Sequence, residues 1–422
     1  MTKIFSYTMP IDTPLLDAYL ALEGGFTDQF GYWAKDRPCR NIGLGRCIAI
    51  RSLSELEYVC EGPSDQPPIL FSFNRFDAHN PQPTDPLFAS FPKLHLMINE
   101  VVLIENAQGR FLQVNSLGPV YEGRVARFAK RVDGATTPEP RTIDYTLERD
   151  SREAWRATVD EALGQIRAGR LRKVVPARQL HLTAAEEFSA ADLFVNLVRG
   201  SAIGTVFLYR YGDVFFVGAT PELLVRRAGE RVESMCLAGT TSAGASPAER
   251  DRLAAALLAD PKNRAEHAYV VDYLREAFGR NCYDVRVDDA PHILSLAHVQ
   301  HLCTPVSGRL LEGMSLLSLM RELHPTPALA GAPVGEAMML IRALEPFNRG
   351  FFGGTAGYLD GSGDGEFSVT IRSGVFDGFE GYVYAGCGIV EGSDADAEYD
   401  EIDMKLKTIL SAFSAPDEEA RS

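Results

Sequence analysis

Residues 205–240 read TVFLYRYGDVFFVGATPELLVRRAGERVESMCLAGT. Runs rich in Val, Phe, Tyr and Leu alternate here with turn residues, Tyr211-Gly212-Asp213 first and Ala228-Gly229-Glu230 later, so the segment predicts consecutive strands. Downstream, DPKNRAEHAYVVDYLREAF (260–278) changes character, with Asp260 and Pro261 suited to the N-cap and first position of a helix. Upstream, the polar stretch from Ser151 to Gly169 predicts a helix, and LRKVVPARQLHL (171–182) predicts a strand with Lys173, Val175 and Ala177 on one face. FFGGTAGYLDGSGDGEFSVTIRS (351–373) places a Gly/Asp-rich turn between two strand patterns. SDADAEYDEIDMKLKTILSAF (393–413) begins with Ser/Asp caps before a helical stripe. Before residue 150, PPILFSFNRF (67–76), KLHLMINEVVLIE (93–105) and GRFLQVNSL (109–117) predict scaffold strands. Strands interleaved with helices and long hairpins predict an α+β layered fold, not a regular βαβ barrel.

The chain has 422 residues, 45% of them hydrophobic, enough for a large buried core. No Pro/Ser-rich linker, charge block or repeat divides it. One large domain over 1–422 is therefore expected, with a β-rich portion at 1–150 and a motif-bearing portion at 151–415. A net charge of −15 argues against nucleic acid as a partner, because phosphate recognition needs a basic footprint. A small anion in a locally basic pocket remains compatible. Seven scattered cysteines without a CxxC pair read as reduced thiols of a cytoplasmic protein. The first residues lack an apolar signal core and no stretch approaches the roughly 18 apolar residues of a membrane span.

Several residues could carry chemistry. Glu398, Glu401 and Lys405 share one stripe of the last predicted helix, beside an apolar stripe of Ile402, Leu406, Ile409 and Phe413. The same spacing describes a solvated face with Glu401 and Lys405 paired. Glu266 precedes apolar Val270 by one turn, so its stripe can turn inward. Carboxylates from two helices would suit Mg²⁺, which takes a few protein oxygens plus water and substrate oxygens. His267 reads as a packed or hydrogen-bonded histidine. Lys173, among Val174, Val175 and Ala177, is either a desolvated base or an edge-strand lysine beside Pro176. Glu222, before Leu223 and Leu224, is the matching candidate acid. Arg372, on the polar side of its strand with Glu366, Ser368 and Thr370, suits a substrate carboxylate or plain exposure. The Gly386-Cys387-Gly388 turn could offer backbone N–H groups to an anion. GGTAGYLDGSGDG has no following Lys-Ser/Thr and so no nucleotide P-loop.

Taken in order, KVVPAR (173–178), GATPELL (218–224), LAGT (237–240), KNRAEH (262–267), VQHLCTPVSG (299–308), HPTPALAG (324–331), EPFNRGFFGG (345–354), GDGEFSVTIRS (363–373) and YAGCGIVEGSDADAEYDEIDMK (384–405) resemble the motif series of the chorismate-binding enzymes. FSFNRF and FPKLHLMI resemble the family's N-terminal portion, so nearly the whole chain is covered. The resemblance implies a single domain of two antiparallel β-sheets with flanking helices. It implies Mg²⁺ held by Glu266 and Glu401, with Glu398 as a water-mediated ligand, and chorismate as substrate. Arg372, Lys405 and Gly386 fall where members grip substrate carboxylates. Gly239, Thr240 and His301 line the same cavity, with Ala328, Leu329, Phe352 and Ile371 completing the substrate-binding set.

The resemblance also separates the family's reactions. Lys173 stands where water-adding members carry a lysine base and ammonia-using members carry glutamine. Ala238 replaces the nucleophilic lysine of aminodeoxychorismate synthases. Ala328 matches the alanine of isochorismate synthases, and Phe352 replaces a tyrosine of salicylate synthases. The implied reaction is Mg²⁺-dependent isomerisation of chorismate to isochorismate, with Lys173 as base and Glu222 as acid, and the residues do not separate menaquinone, siderophore and salicylate production as the use of its product. Salicylate synthase is the competing reading, and a non-catalytic chorismate-binding subunit is another. Departures are the missing arginines after LAGT and Asn263 in place of an outer acidic residue. A monomer without a glutamine amidotransferase partner is expected.

Overall fold

The structure, a computed structural model, describes residues 2–50, 58–61, 67–82, 86–92, 95–138, 141–148, 150–201, 204–296 and 299–414. The opening stretch forms strands Thr205–Tyr211, Val214–Thr220, Leu223–Ala228 and Arg231–Ser242. The first two sit in the middle of a twelve-stranded sheet, whereas the next two belong to a ten-stranded sheet. The chain therefore changes sheets at Pro221-Glu222. Among the described residues the large sheets are antiparallel, apart from the parallel edge pair Thr2–Pro10 with Tyr58–Glu61. A third, small sheet joins Gly331–Ala332, Lys173–Val174 and Ile389–Val390, which the two-sheet expectation lacked.

Both large sheets mix strands from the two sides of residue 150. Asp28–Ala34 pairs with Thr205–Tyr211 in one, and Leu70–Asn74 pairs with Thr355–Leu359 in the other. KLHLMINEVVLIE is two strands, His95–Ile98 in the ten-stranded sheet and Val101–Asn106 in the twelve-stranded one. Its first two residues, Lys93 and Leu94, lie outside the described residues. Aromatic rings fill the space between the sheets. Phe30 stacks on Tyr209 at 4.5 Å and on Phe71 at 5.6 Å, and Phe73 stacks on Tyr209 at 5.1 Å. Burying each such ring contributes about 1.5–3 kcal/mol.

The strand expected over 171–182 is two strands in different sheets, Lys173–Val174 and Ala177–Ala184. Pro176 has no N–H to donate and its ring restricts Val175, so the ladder breaks there. Lys173, Val175 and Ala177 consequently share no single face. Lys173 is also not an edge residue: it lies on the central strand of the small sheet and is 0% exposed.

Three helices matter for the site, each with a capped start. Ser151 accepts from Glu153 N and Ala154 N ahead of Arg152–Arg167, Asp260 from Asn263 N ahead of Pro261–Asn281, and Asp394 from Ala397 N ahead of Ala395–Leu410. Ile402, Leu406, Ile409 and Phe413 are buried as the stripe required. The six described cysteines, Cys39, Cys47, Cys236, Cys282, Cys303 and Cys387, are free, and the side chain of Cys60 lies outside the described residues. Among the described residues no helix is long and apolar enough to cross a membrane.

Candidate active site

The candidate residues gather where the chain passes from one sheet to another. Glu222 sits between strands Val214–Thr220 and Leu223–Ala228, and Arg372 between Gly365–Val369 and Ser373–Asp377. The two crossings run side by side: Ala219 N donates to Arg372 O at 3.3 Å, and Val369 N donates to Glu222 O at 3.0 Å. The break at Val175-Pro176 and the turn Gly386–Gly388 are two further crossings. Arg372 thus lies past the strand end, with φ of 53°, and not on the strand's polar side. The residues it was grouped with serve other partners. Glu366 holds Arg37 at 2.7 Å, Ser368 bonds Tyr32 Oη at 2.7 Å, and Thr370 donates to Phe351 O.

One cleft opens over these crossings. It is lined by Glu222, Gly239, Thr240, Glu266, His301, Ala328, Leu329, Phe352, Ile371, Arg372, Gly386 and Lys405. Lys173, Glu401 and Glu398 are not among its lining residues. Lys173 Nζ lies 2.9 Å from Glu266 Oε1, and Glu401 Oε1 lies 2.7 Å from Lys405 Nζ, so each is one contact from the cleft. Glu398 stands further back, its Oε1 2.7 Å from Lys262 Nζ.

Arg372 and His301 form a relay. Arg372 Nη2 donates to His301 Nε2 at 2.8 Å, which leaves Nδ1 to carry the ring proton toward Gly239 O at 3.3 Å or Thr240 Oγ1 at 3.2 Å. Burial, then the charges of Arg372 and Lys405, hold His301 far below the usual imidazole range, so the ring is neutral. Burial lowers Arg372 to about 10, where it is still charged near pH 7. Its Nε is buried with no hydrogen-bond partner among the described residues. A buried cation with an unspent N–H on a cleft wall suits a bound carboxylate. Glu222, only 7% exposed, is raised to about 7 by burial, against the opposing pull of Lys173, Arg372 and Lys405.

Three carboxylates and three lysines interlock beside the cleft. Burial would raise Glu266, but Lys173, Lys405 and Lys262 hold it below the ordinary value. Glu398 is raised by burial and by the like charge of Glu401, against Lys262. Lys262 in turn is raised despite burial, by Glu398 first and by Glu266 and Glu401 as well. Glycine at 388 makes this possible, since a Cβ there would stand 2.3 Å from Glu266 Oε1. Among the described residues no three His, Cys, Asp or Glu side chains already converge as a metal cage. His267 is structural: buried, it bonds Thr304 Oγ1 at 2.7 Å and Ala238 O at 3.2 Å, and burial lowers it to about 4. In the glycine turn Cys387 N donates to Pro176 O at 3.3 Å, while Gly386 O accepts from Lys405 Nζ at 3.0 Å. The Cys387 N–H and the Gly386 carbonyl are thus both spent within the protein.

Some residues in and around the cleft were not anticipated in these roles. Arg349 lines the cleft, pairs with buried Glu345, and donates to Val175 O at 2.6 Å and Leu329 O at 3.2 Å, tying two walls together. Its signal lay in EPFNRGFFGG, where an acid and a base, Glu345 and Arg349, stand four residues apart. Lys262 was legible only as the first residue of KNRAEH. Asn263, in place of an acid, accepts from Thr240 N at 3.2 Å and so braces the cleft.

Comparisons with known proteins agree with this arrangement. The chorismate binding enzyme family matches residues 3–414. The isochorismate synthase MenF of Bacillus subtilis is 34% identical over 353 residues, covering 82% of this chain and 74% of that protein. A salicylate biosynthesis isochorismate synthase of Pseudomonas aeruginosa is 39% identical over 265 residues, covering 63% of this chain but 55% of its own length. The solved structure of MenF, the menaquinone-specific isochorismate synthase from Escherichia coli, superposes with a TM-score of 0.79 at 24% identity, over 97% of this chain and 94% of that one. Sheet-crossing cleft, motif order and matched length agree: the chain belongs to the chorismate-binding enzyme family.

Proposed function

We propose that this chain is an isochorismate synthase that interconverts chorismate and isochorismate. The observation that carries the reading is the pairing, at one cleft, of a carboxyl raised to about 7 (Glu222) with a fully buried lysine (Lys173) one contact from the cleft wall. The reaction needs a proton taken and a proton given. Acting as the free amine, Lys173 removes a proton from water as its oxygen bonds C2 of chorismate. Glu222 protonates the C4 hydroxyl, which leaves as water while the double bonds shift. Water is consumed and released, so the net change is an isomerisation. Arg372 grips a substrate carboxylate with its unspent N–H, and neutral His301 fixes the guanidinium's orientation. Holding water and ring together removes much of the entropic cost of their encounter.

Mg²⁺ fits the residues present. Three carboxylates act on the single ammonium of Lys262, and such a concentration of oxygen donors suits a hard divalent cation completed by water and substrate. Glu266 and Glu401 would hold it, with Glu398 through water, and when bound it would neutralise and orient the ring carboxylate. Ala328 and Phe352 carry no hydroxyl on the cleft wall, which favours release of isochorismate before its enolpyruvyl ether breaks. The chain is proposed to work alone in the cytoplasm, without an amidotransferase. The test is an early time course with chorismate and Mg²⁺, with and without ammonium, resolved by chromatography. Isochorismate alone is expected; stoichiometric salicylate and pyruvate, or anthranilate, would overturn the reading.

A further inference from the structure

Glu398, Glu401 and Lys405 fall within roughly a 60° sector of the last helix at about 100° per residue. The opposite sector carries Asp396, Tyr399, Asp400 and Asp403, and it is tied down. Arg156 Nη2 lies 2.8 Å from Asp396 and Arg152 Nη1 3.5 Å from it, with Arg152 also reaching Asp400. These side chains are 45–63% exposed, and exposed pairs of that kind add little. Arg178 is a different case. Its side chain is 2% exposed. From strand Ala177–Ala184 it grips Asp150 through Nε at 2.8 Å, reaches Asp403 Oδ1 through Nη1 at 2.9 Å and Tyr399 O at 3.3 Å, and lies 3.5 Å from the Tyr399 ring centroid.

The apolar stripe of Ile402, Leu406 and Ile409 already holds this helix on the core. Apolar contact is non-directional and leaves rotation and axial height weakly specified. A planar guanidinium with several spent donors specifies both. The strand bearing Arg178 pairs Ala177 with Gly386, whose carbonyl receives Lys405, so one strand sets both the front and the back of the helix.

We infer that Arg178 is a positioning residue: through Asp403 and the Tyr399 carbonyl it sets the rotation of the last helix and thereby the placement of Glu401 and Glu398 against Glu266. The inference rests on the reading of those carboxylates as the divalent-cation site. The decisive variant is Asp403→Asn, which weakens the arm to the helix and leaves the Arg178–Asp150 pair in place. Arg178→Lys removes the planar fork, and Arg152→Ala cuts an exposed tie on the same back face.

Binding of Mn²⁺ to the full chain is followed by the electron paramagnetic resonance signal of the free ion and competed with Mg²⁺, alongside turnover. For Asp403→Asn the metal Kd should rise about 10- to 100-fold, the range expected when a group orienting a ligand is lost. The chorismate KM at saturating metal should move by less than about threefold. Arg178→Lys should move the metal Kd in the same direction, and Arg152→Ala should leave it within about twofold of wild type. Wild-type metal affinity in Asp403→Asn, with activity lost only in proportion to the folded fraction by circular dichroism, would reduce Arg178 to a structural residue. If Arg178→Lys does not fold, Asp403→Asn still decides. Failure of the wild-type chain itself to bind Mn²⁺ would overturn the metal reading and this inference together.

Discussion

Substituting Glu222 by Gln keeps the shape of a buried side chain and removes its ionisation. The carboxyl moves from an ordinary value of 4.5 to about 7 on folding. A carboxyl raised in this way lets the folded state bind more protons between those two values, so its stabilisation is complete below about pH 4.5 and is lost as pH rises to about 7. The difference, 7 minus 4.5, at about 1.4 kcal/mol per pH unit, makes the wild-type protein about 3 kcal/mol less stable at pH 8 than the uncharged side chain would. Glu222→Gln escapes that cost. Its stability advantage over wild type should grow from near zero at pH 4 to about 3 kcal/mol at pH 8, measured by urea unfolding followed by fluorescence. Turnover should move the other way. The variant should lose roughly 10²- to 10⁴-fold in kcat, and wild-type kcat/KM should fall above about pH 7 as the proton donor ionises. A stability difference that stays flat between pH 5 and 8, or a variant that keeps its turnover, would refute the assignment of a protonated acid at this position.

Other outcomes follow from the same geometry. Lys173→Ala should still bind chorismate by calorimetry but lose roughly 10²- to 10⁴-fold in hydration rate, and an unchanged rate and pH profile would make Lys173 structural. Glu266→Gln and Glu401→Gln should each abolish the Mg²⁺ dependence of turnover while near-ultraviolet circular dichroism stays native; a normal Mg²⁺ response in both would remove them from the metal site. Arg372→Met should raise the chorismate KM by at least about tenfold, the loss expected for a charge-assisted carboxylate contact, as read by steady-state kinetics. A KM that stays at the wild-type value would show that the carboxylate is held elsewhere.

Much of this molecule was legible locally. Two of the turns between the strands of 205–240 hold the expected glycines, Gly212 and Gly229, and the helix starts at Ser151, Asp260 and Asp394 carry their caps, because period and capping depend on residues within one turn of each other. Local pattern failed at sheet changes. The run 171–182 alternates like one strand, yet Pro176 divides it between sheets, and Arg372 belongs to a crossing that EFSVTIRS does not announce. The first break is marked by a proline that the run itself carries, whereas which sheet each piece joins, and the crossing at Arg372, are set by partner strands far away in sequence.

The motif series from Lys173 to Lys405 determined the family and named the residues that gather at the cleft. Spacing alone left Lys173 open between base and edge lysine, and Glu401 open between metal ligand and partner of Lys405. Tertiary structure removed the edge-lysine alternative, since a central strand leaves Lys173 no exposure, and showed Glu401 paired with Lys405, a residue of the cleft wall. It alone supplied the value of about 7 at Glu222, the neutral His301 and the Arg178 anchor. The reason is physical: periodicity is a property of adjacent residues, whereas desolvation and charge act through space, between groups that the chain brings together only when two sheets close on one another.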